Sequence, residues 1–310
     1  MASGIKVFAP ASVGNCIVGF DSLGLCLEQP GDEIIVTLSD EPGLKITKIT
    51  GAKGRLPLEV EKNTAGFAAL SLLKHLGKED LGIEMEIHKK MPFGSGLGSS
   101  AASAVAGAFA INELLKRPLE KRELLPFAME GEMLASGSRH ADNVAPSLLG
   151  GIVLTRDNET LDVHRLTIPK GLYATVIYPH VEVLTKSARD ILSPTVPLKK
   201  MVQQSANMAS FVLGLFNGDL DLIKRSLQDV VIEPQRAQLI PHFEKVKNAA
   251  LEEGALGCSI SGAGPSIFAL SANSLIAEKI GKAMETIFQK EKIETNLYIS
   301  KINQEGAIKL

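Results

Sequence analysis

The 310-residue sequence predicts an α+β fold in two domains, and three observations carry that expectation. The length is more than one core usually fills and suits two. Short β-rich runs alternate with stretches of helical periodicity in both halves of the chain. A polar segment at Asp157–Thr160 follows a strand-like run and separates the halves, giving an expected division into residues 1–156 and 157–310. Between two such domains the sequence predicts a cleft.

The elements follow in order. IKVFA (5–9), EIIVTL (33–38) and GIEMEIH (82–88) read as strands, the last with Ile83, Met85 and Ile87 alternating. Between the last two, Ala65, Ala68, Ala69, Leu72, Leu73 and Leu76 recur at helical spacing, and Asn63 stands where a cap is needed. A helix of very small residues, SSAASAVAGAFAINELL, follows Gly98, and a further one over 120–136 is offset near Pro126. GGIVLTR (150–156) returns to strand. In the second half GLYATVIY is a strand, 198–217 and 219–230 are helices, and a third helix starts after Glu233-Pro234 with proline in its first turn. GCSISGAGPSIFAL reads as strand, glycine turn, strand. Asn273 then caps a helix with Ile276, Ile280, Ala283, Met284 and Ile287 on one face.

Composition excludes several classes of function. Hydrophobic residues make up 45% and charged residues 22%, and the formal net charge is −2, so nucleic acid and anionic membrane are not expected partners. No apolar run reaches the roughly 20 residues that span a bilayer, and MASGIKVFAP does not read as a signal peptide. Cys16, Cys26 and Cys258 have no metal-ligand spacing and read as reduced, buried thiols, which predicts a cytoplasmic protein.

The stretch Pro92-Phe93-Gly94-Ser95-Gly96-Leu97-Gly98-Ser99-Ser100-Ala101-Ala102 carries the most chemistry. Glycine at every second position admits positive φ, and such turns aim successive N–H groups into one concavity that suits an anion. The serines open a helix whose free N–H groups and positive dipole end face the same way. A glycine turn before a small-residue helix is the plain alternative. The loop lacks the Lys of a Walker A motif and the G-x-G-x-x-G spacing of a dinucleotide fingerprint. The charge of a bound triphosphate must then be met by a cation, the helix dipole and groups from elsewhere.

PFGSGLGSSAA resembles the second signature of the GHMP kinases, APASVGNCIVGFDSLG (9–24) the first and SISGAGPSIFAL (259–270) the third. The resemblance implies an N-terminal ATP-loop domain, a C-terminal ferredoxin-like domain and a homodimer, with ATP phosphates on 92–102 and Mg²⁺ near Ser100 and Glu132. GFDSLG, ASGSRHADNVAPSLLGG (135–151), TKSARDILSP (185–194) and EPQRAQLIP (233–241) are similar to the homoserine kinase branch of that superfamily. That branch implies L-homoserine as the small-molecule substrate. Asp21 can pair with its ammonium, Arg189 and Arg236 with its carboxylate through forked donors, and Asn15, His140 and Asn143 can orient the amino acid or its hydroxyl. Thr185 and Gly264 complete the expected substrate set. Several GHMP kinases use an aspartate base, and either Asp142 or Asn143 stands opposite it here. Homoserine kinases resemble enzymes without that base, so the expected catalytic set is Asn143, Glu132 and Ser100. Other readings are a GHMP kinase for a sugar, shikimate or an isoprenoid acid, and a non-catalytic descendant. The latter should show decay of the glycine loop or of Glu132, and neither is seen.

Overall fold

The computed structural model describes residues 4–137 and 139–310. Its first layer begins with β1 (Ile5–Gly14), β2 (Leu23–Leu38) and β3 (Leu44–Thr50), followed by α1 (Thr64–His75), β4 (Ile83–His88) and α2 (Ser99–Leu114). Then come α3 (Leu125–Ser136), α4 (Val144–Leu149), β5 (Ile152–Asp157) and β6 (Asp162–Leu166). β2 is long enough to pair twice along one edge: its first residues join β5 (Leu23 opposite Leu154) and its last join β4 (Ile34 opposite Ile87). Its other edge pairs with β1 throughout, with a shift of register between Pro10 and Ser12. β4 alternates as expected, with Ile83, Met85 and Ile87 buried against the helices.

Those helices explain the small-residue sequence of α2. A Cβ on Gly107 would lie 2.1 Å from the carbonyl oxygen of Ala65, so α1 and α2 cross at a distance that only glycine permits at that point. Asn63 caps α1 by accepting from Ala65 and Gly66 N–H at 3.1 and 3.2 Å.

The second layer contains β7 (Tyr173–Pro179), α5 (Thr185–Asp190), α6 (Leu198–Asn217), α7 (Leu220–Ser226) and α8 (Glu233–Arg236). It continues with α9 (Phe243–Glu252), β8 (Gly257–Ile260), β9 (Ile267–Ser271), α10 (Ser274–Lys290) and β10 (Thr295–Lys301), after which β11 (Ile308–Lys309) returns to the first sheet. Four of these strands form an antiparallel sheet in the order β10-β7-β9-β8. Strand, helices, hairpin, helix, strand is the ferredoxin-like βαββαβ path. α9 and α10 cover one face, burying Phe243, Val246, Ile280, Met284 and Phe288 against Ile177 and Ile267.

Several elements differ from expectation. β3, β6, β10 and β11 were not foreseen; β6 and β11 lie beyond residue 156 yet pair with β5 and β1 of the first sheet. The helix expected over 219–230 stops at Ser226, whose hydroxyl donates to the Leu222 and Ile223 carbonyls and competes with helix continuation. The helix after Glu233 is a single turn. Over 120–136 a 3₁₀ turn occupies Lys121–Leu124 and the α-helix begins at Leu125, so Pro126 falls in its first turn.

Candidate active site

The glycine loop runs from β4 into α2. Gly94, Gly96 and Gly98 all have positive φ (59°, 77° and 65°). Gly98 is the N-cap of α2 and supplies no side-chain acceptor, so the first-turn N–H groups of α2 remain available to a ligand. The loop is held from both sides. A Cβ at Gly96 would lie 2.4 Å from the Ser261 carbonyl oxygen, and one at Gly98 would lie 2.3 Å from Ser12 Oγ. Ser261 Oγ donates to the Gly96 carbonyl at 2.6 Å and Ser266 N–H to that of Ser95 at 3.1 Å. The third sequence motif thus braces the loop from the ferredoxin-like layer.

A cavity of about 290 Å³ opens over the loop. Phe93, Gly94, Ser95, Gly96, Gly98, Ser99 and Ser100 line it. Leu97, Ala101 and Ala102 are wholly buried and anchor the turn in the core, while Pro92 accepts from Ser95 Oγ at 3.0 Å. Beneath the loop Lys89, nearly inaccessible, forms an ion pair with Asp32 and donates to Ser99 Oγ at 2.8 Å and Ser103 Oγ at 2.9 Å. Asp32 also accepts from the Lys90 and Met91 N–H groups at 3.0 and 3.2 Å. One buried pair therefore fixes both the entry to the loop and the first turn of α2. Sequence reading missed it, although a lysine directly after β4 and just before the glycines was the available signal.

Ser100 Oγ donates to Glu132 Oε1 at 3.0 Å across α2 and α3. Glu132 Oε2 is buried with no hydrogen-bond partner among the described residues. Burial raises the Glu132 carboxyl to about 7, so a cation arriving there would relieve an unsatisfied, desolvated carboxylate.

A smaller cavity of about 80 Å³ adjoins the first, sharing Glu132, Asn143, Thr185, Gly262 and Ala263 with it. Arg189, on α5, makes a forked pair to Asp21 (Nη1 to Oδ2 3.1 Å, Nη2 to Oδ1 3.0 Å). His140 Nε2 is 3.7 Å from the same carboxylate, and burial lowers its imidazole pKa. Arg236 donates to the Ala188 carbonyl at 2.8 Å and the Gly262 carbonyl at 3.1 Å. The Arg189 and Arg236 guanidinium groups both lie over the Phe20 ring, 5.5 and 5.0 Å from its centre.

The loop bearing Asp21 is shaped by Asn15, Cys16, Ile17 and Asp21, all with positive φ. Asn15 accepts from Asp21 N–H at 3.1 Å and donates to the Gly262 carbonyl at 2.9 Å, so its amide braces the cavity wall. Asp142 and Asn143 converge on Gly14, where a Cβ would lie 2.5 Å from Asp142 Oδ2 and 2.8 Å from Asn143 Nδ2. Asn143 Oδ1 accepts from Ser12 Oγ at 3.0 Å, so its oxygen is engaged while its NH₂ remains a donor at the cavity wall. Burial first, then the Asp21 charge, raises Asp142 to about 7. Thr185 is exposed and lines both cavities. Gly264 lines neither; it is packed under Gly96, and Gly262 and Ala263 occupy the wall instead. The other expected substrate-side residues gather at one place from four separate segments.

The pattern of the GHMP kinases N terminal domain matches residues 63–151, and that of the GHMP kinases C terminal matches 211–290. A homoserine kinase from Chlorobium phaeobacteroides is 47% identical, each chain covered to 97%. The crystal structure of homoserine kinase from Cytophaga hutchinsonii superposes with a TM-score of 0.97 at 55% identity, covering 100% of this chain and 98% of that one. This chain belongs to the homoserine kinase family of the GHMP kinases. A mevalonate kinase from L. major, 19% identical with a TM-score of 0.71 and coverage of 97% and 99%, shares the fold. The homoserine kinase family membership makes the chain an ATP-using phosphotransferase with an alcohol acceptor.

Proposed function

We propose that this chain transfers the γ-phosphoryl group of ATP to the side-chain hydroxyl of L-homoserine, giving O-phospho-L-homoserine for threonine biosynthesis. The observation that carries the reading is the joining of two unlike cavities through Asn143, Thr185 and Gly262. One has the N–H groups of a glycine loop and helix start; the other has a carboxylate and two guanidinium groups, the complement of an amino-acid zwitterion.

The residues present fit a hard cation. Ser100 and Glu132 offer hydroxyl and carboxylate oxygens, and Mg²⁺ is commonly held by one or two carboxylates together with substrate phosphates. When bound, Mg²⁺ neutralises charge on the triphosphate and on the transferring group. The chain's own work is then positional. The 94–100 backbone holds phosphate oxygens, Asp21 takes the ammonium, and Arg189 and Arg236 take the carboxylate. His140 stands beside Asp21, and the Asn143 amide holds the hydroxyl in line. Phosphoryl transfer depends mainly on positioning and electrostatics, so this arrangement operates without a side-chain base.

A second reading of the proton's fate has its own support. Asp142 shares the Gly14 nook with Asn143 and is held near neutrality, where a general base works best. Comparing Asp142→Asn with Asn143→Ala separates the two. The base-free reading expects the larger loss of kcat from Asn143→Ala, with Asn143→Asp failing as fully. A far larger loss in Asp142→Asn assigns the proton to Asp142.

The same reading includes a homodimer in the cytoplasm, supported by the sequence resemblance and by three free, buried cysteines. No helix among the described residues is long and apolar enough to cross a membrane. The test of the function is coupled ADP release with Mg²⁺ and ATP over L-homoserine, D-homoserine, L-serine, mevalonate, shikimate and galactose. Turnover with L-homoserine alone is expected; turnover with another member overturns the roles given to Asp21, Arg189 and Arg236.

A further inference from the structure

α6 carries an apolar face that no other described residue covers. Leu198 and Phe216, at its two ends, are 71% and 70% exposed, and Met201, Val202 and Leu213 are 51%, 58% and 52% exposed. Side chains of this size are rarely left so open in a row. Together they expose on the order of 500 Å² of apolar surface, at the upper end of what a monomer presents in one patch.

The order of residues along the face is nearly palindromic. Large side chains at Leu198, Met201 and Val202 are followed by small exposed ones at Ser205, Ala206 and Ala209, then by large ones at Leu213 and Phe216. Reversing the helix sets Leu198 against Phe216, Met201 against Leu213 and Ser205 against Ala209. Such a face is complementary to itself when two copies lie antiparallel about a two-fold axis, with the small residues at the middle allowing close approach.

Charge gives the same orientation. α6 begins with Lys199 and Lys200 in its first turn, has no acidic residue there, and ends without a basic one. That is the reverse of what the dipole of a solitary helix favours. No charged residue occurs between Lys200 and Asp219, and Asp219 and Asp221 follow directly on the C-terminal end. An antiparallel copy brings its negative helix end and its two aspartates toward Lys199, which flanks the face. Two such faces together approach the ~1,200 Å² at which specific interfaces begin.

We propose that the occupant of this face is a second copy of the chain, joined as an isologous antiparallel α6–α6 pair. The proposal rests on the homodimer reading above and adds the surface and the orientation. It is tested by sedimentation of the full chain and three variants, with circular dichroism verifying that each is folded. The wild type is expected at twice the chain mass, and Leu213→Glu and Met201→Lys are each expected to weaken association by ~30-fold or more. The double variant Met201→Lys/Leu213→Glu, which opposes lysine to glutamate across the two-fold axis, is expected to recover the dimer. A dimer that persists in both single variants overturns this interface and leaves the homodimer standing. Dissociation of the single variants without recovery in the double one overturns the antiparallel register. A monomeric wild type overturns the homodimer and the interface together.

Discussion

Asp142 is a carboxyl group kept out of water at the wall of a cavity, and that has a consequence for stability. Unfolded, it ionises near 3.8; folded, at about 7. Between those values the folded state keeps a proton that the unfolded state has released, so this residue's contribution to stability falls as pH rises through the window. Asp142→Asn removes that slope. Its melting temperature without ligands, relative to wild type, is expected to rise progressively from about pH 4 to about pH 8; a constant difference would show that Asp142 is ionised throughout. At this scale much of the site was legible. Asp21, Arg189 and Arg236 stand in stretches that resemble the homoserine kinase branch, and the structure gathers them at one cavity. Gly264 was not separable from Gly262 and Ala263, because three small residues in one turn differ only in which way the turn faces. Lys89 was missed because a lysine at the end of a strand looks solvated until Asp32 is known to stand beneath it.

Among the elements, α6 joins parts of the site that the chain itself keeps far apart. Gln204 donates to the Val18 carbonyl at 3.0 Å and accepts from Val230 N–H at 3.0 Å, tying the loop that carries Asp21 to the loop that leads to Arg236. Gln204→Ala removes both links, each worth about 1 kcal/mol. The expected outcome is a KM for the amino acid raised by ~10-fold, with the KM for ATP unchanged; equal rises in both would indicate general loosening. Asp229 has a related role, accepting from the N–H groups of Val231, Ile232 and Glu233 at 2.8–2.9 Å and so setting the turn of α8. Lys89→Met is the matching test in the first layer. It strands Asp32 as a buried charge, and a loss of about 3–5 kcal/mol is expected in chemical denaturation. α1, α2, α6 and α10 were legible because their periodicity and caps are local, with Asn63, Asn273 and the run of alanines as signals, whereas the six-residue α4 and α5 have no side-chain cap to mark them. β3, β6, β10 and β11 were not, because their patterns are irregular and their pairing partners come from distant sequence. β10 shows the difficulty, with only Ser300 buried along its length.

For the whole molecule, each layer supplies what the other lacks. The glycine loop belongs to the first sheet but is held down by Ser261 and Ser266 of the second, and the smaller cavity draws Asp21 from one layer and both arginines from the other. Movement between the layers would therefore alter the glycine loop and the smaller cavity together. The forked Asp21–Arg189 pair spans that junction. On the roles proposed for these two residues, substrate entry is an exchange of partners: the ammonium takes Asp21, the carboxylate takes Arg189, and the count of satisfied charges in the pair is kept. A molecule offering one charge of the two leaves the other side deserted. On this logic 4-hydroxybutanoate, which has the hydroxyl and the carboxylate but no amine, is turned away by the partner it cannot replace. Its kcat/KM is expected to fall below that of L-homoserine on the order of 10⁴-fold, and a deficit of a few fold would mean that the pair stays closed while the substrate binds beside it.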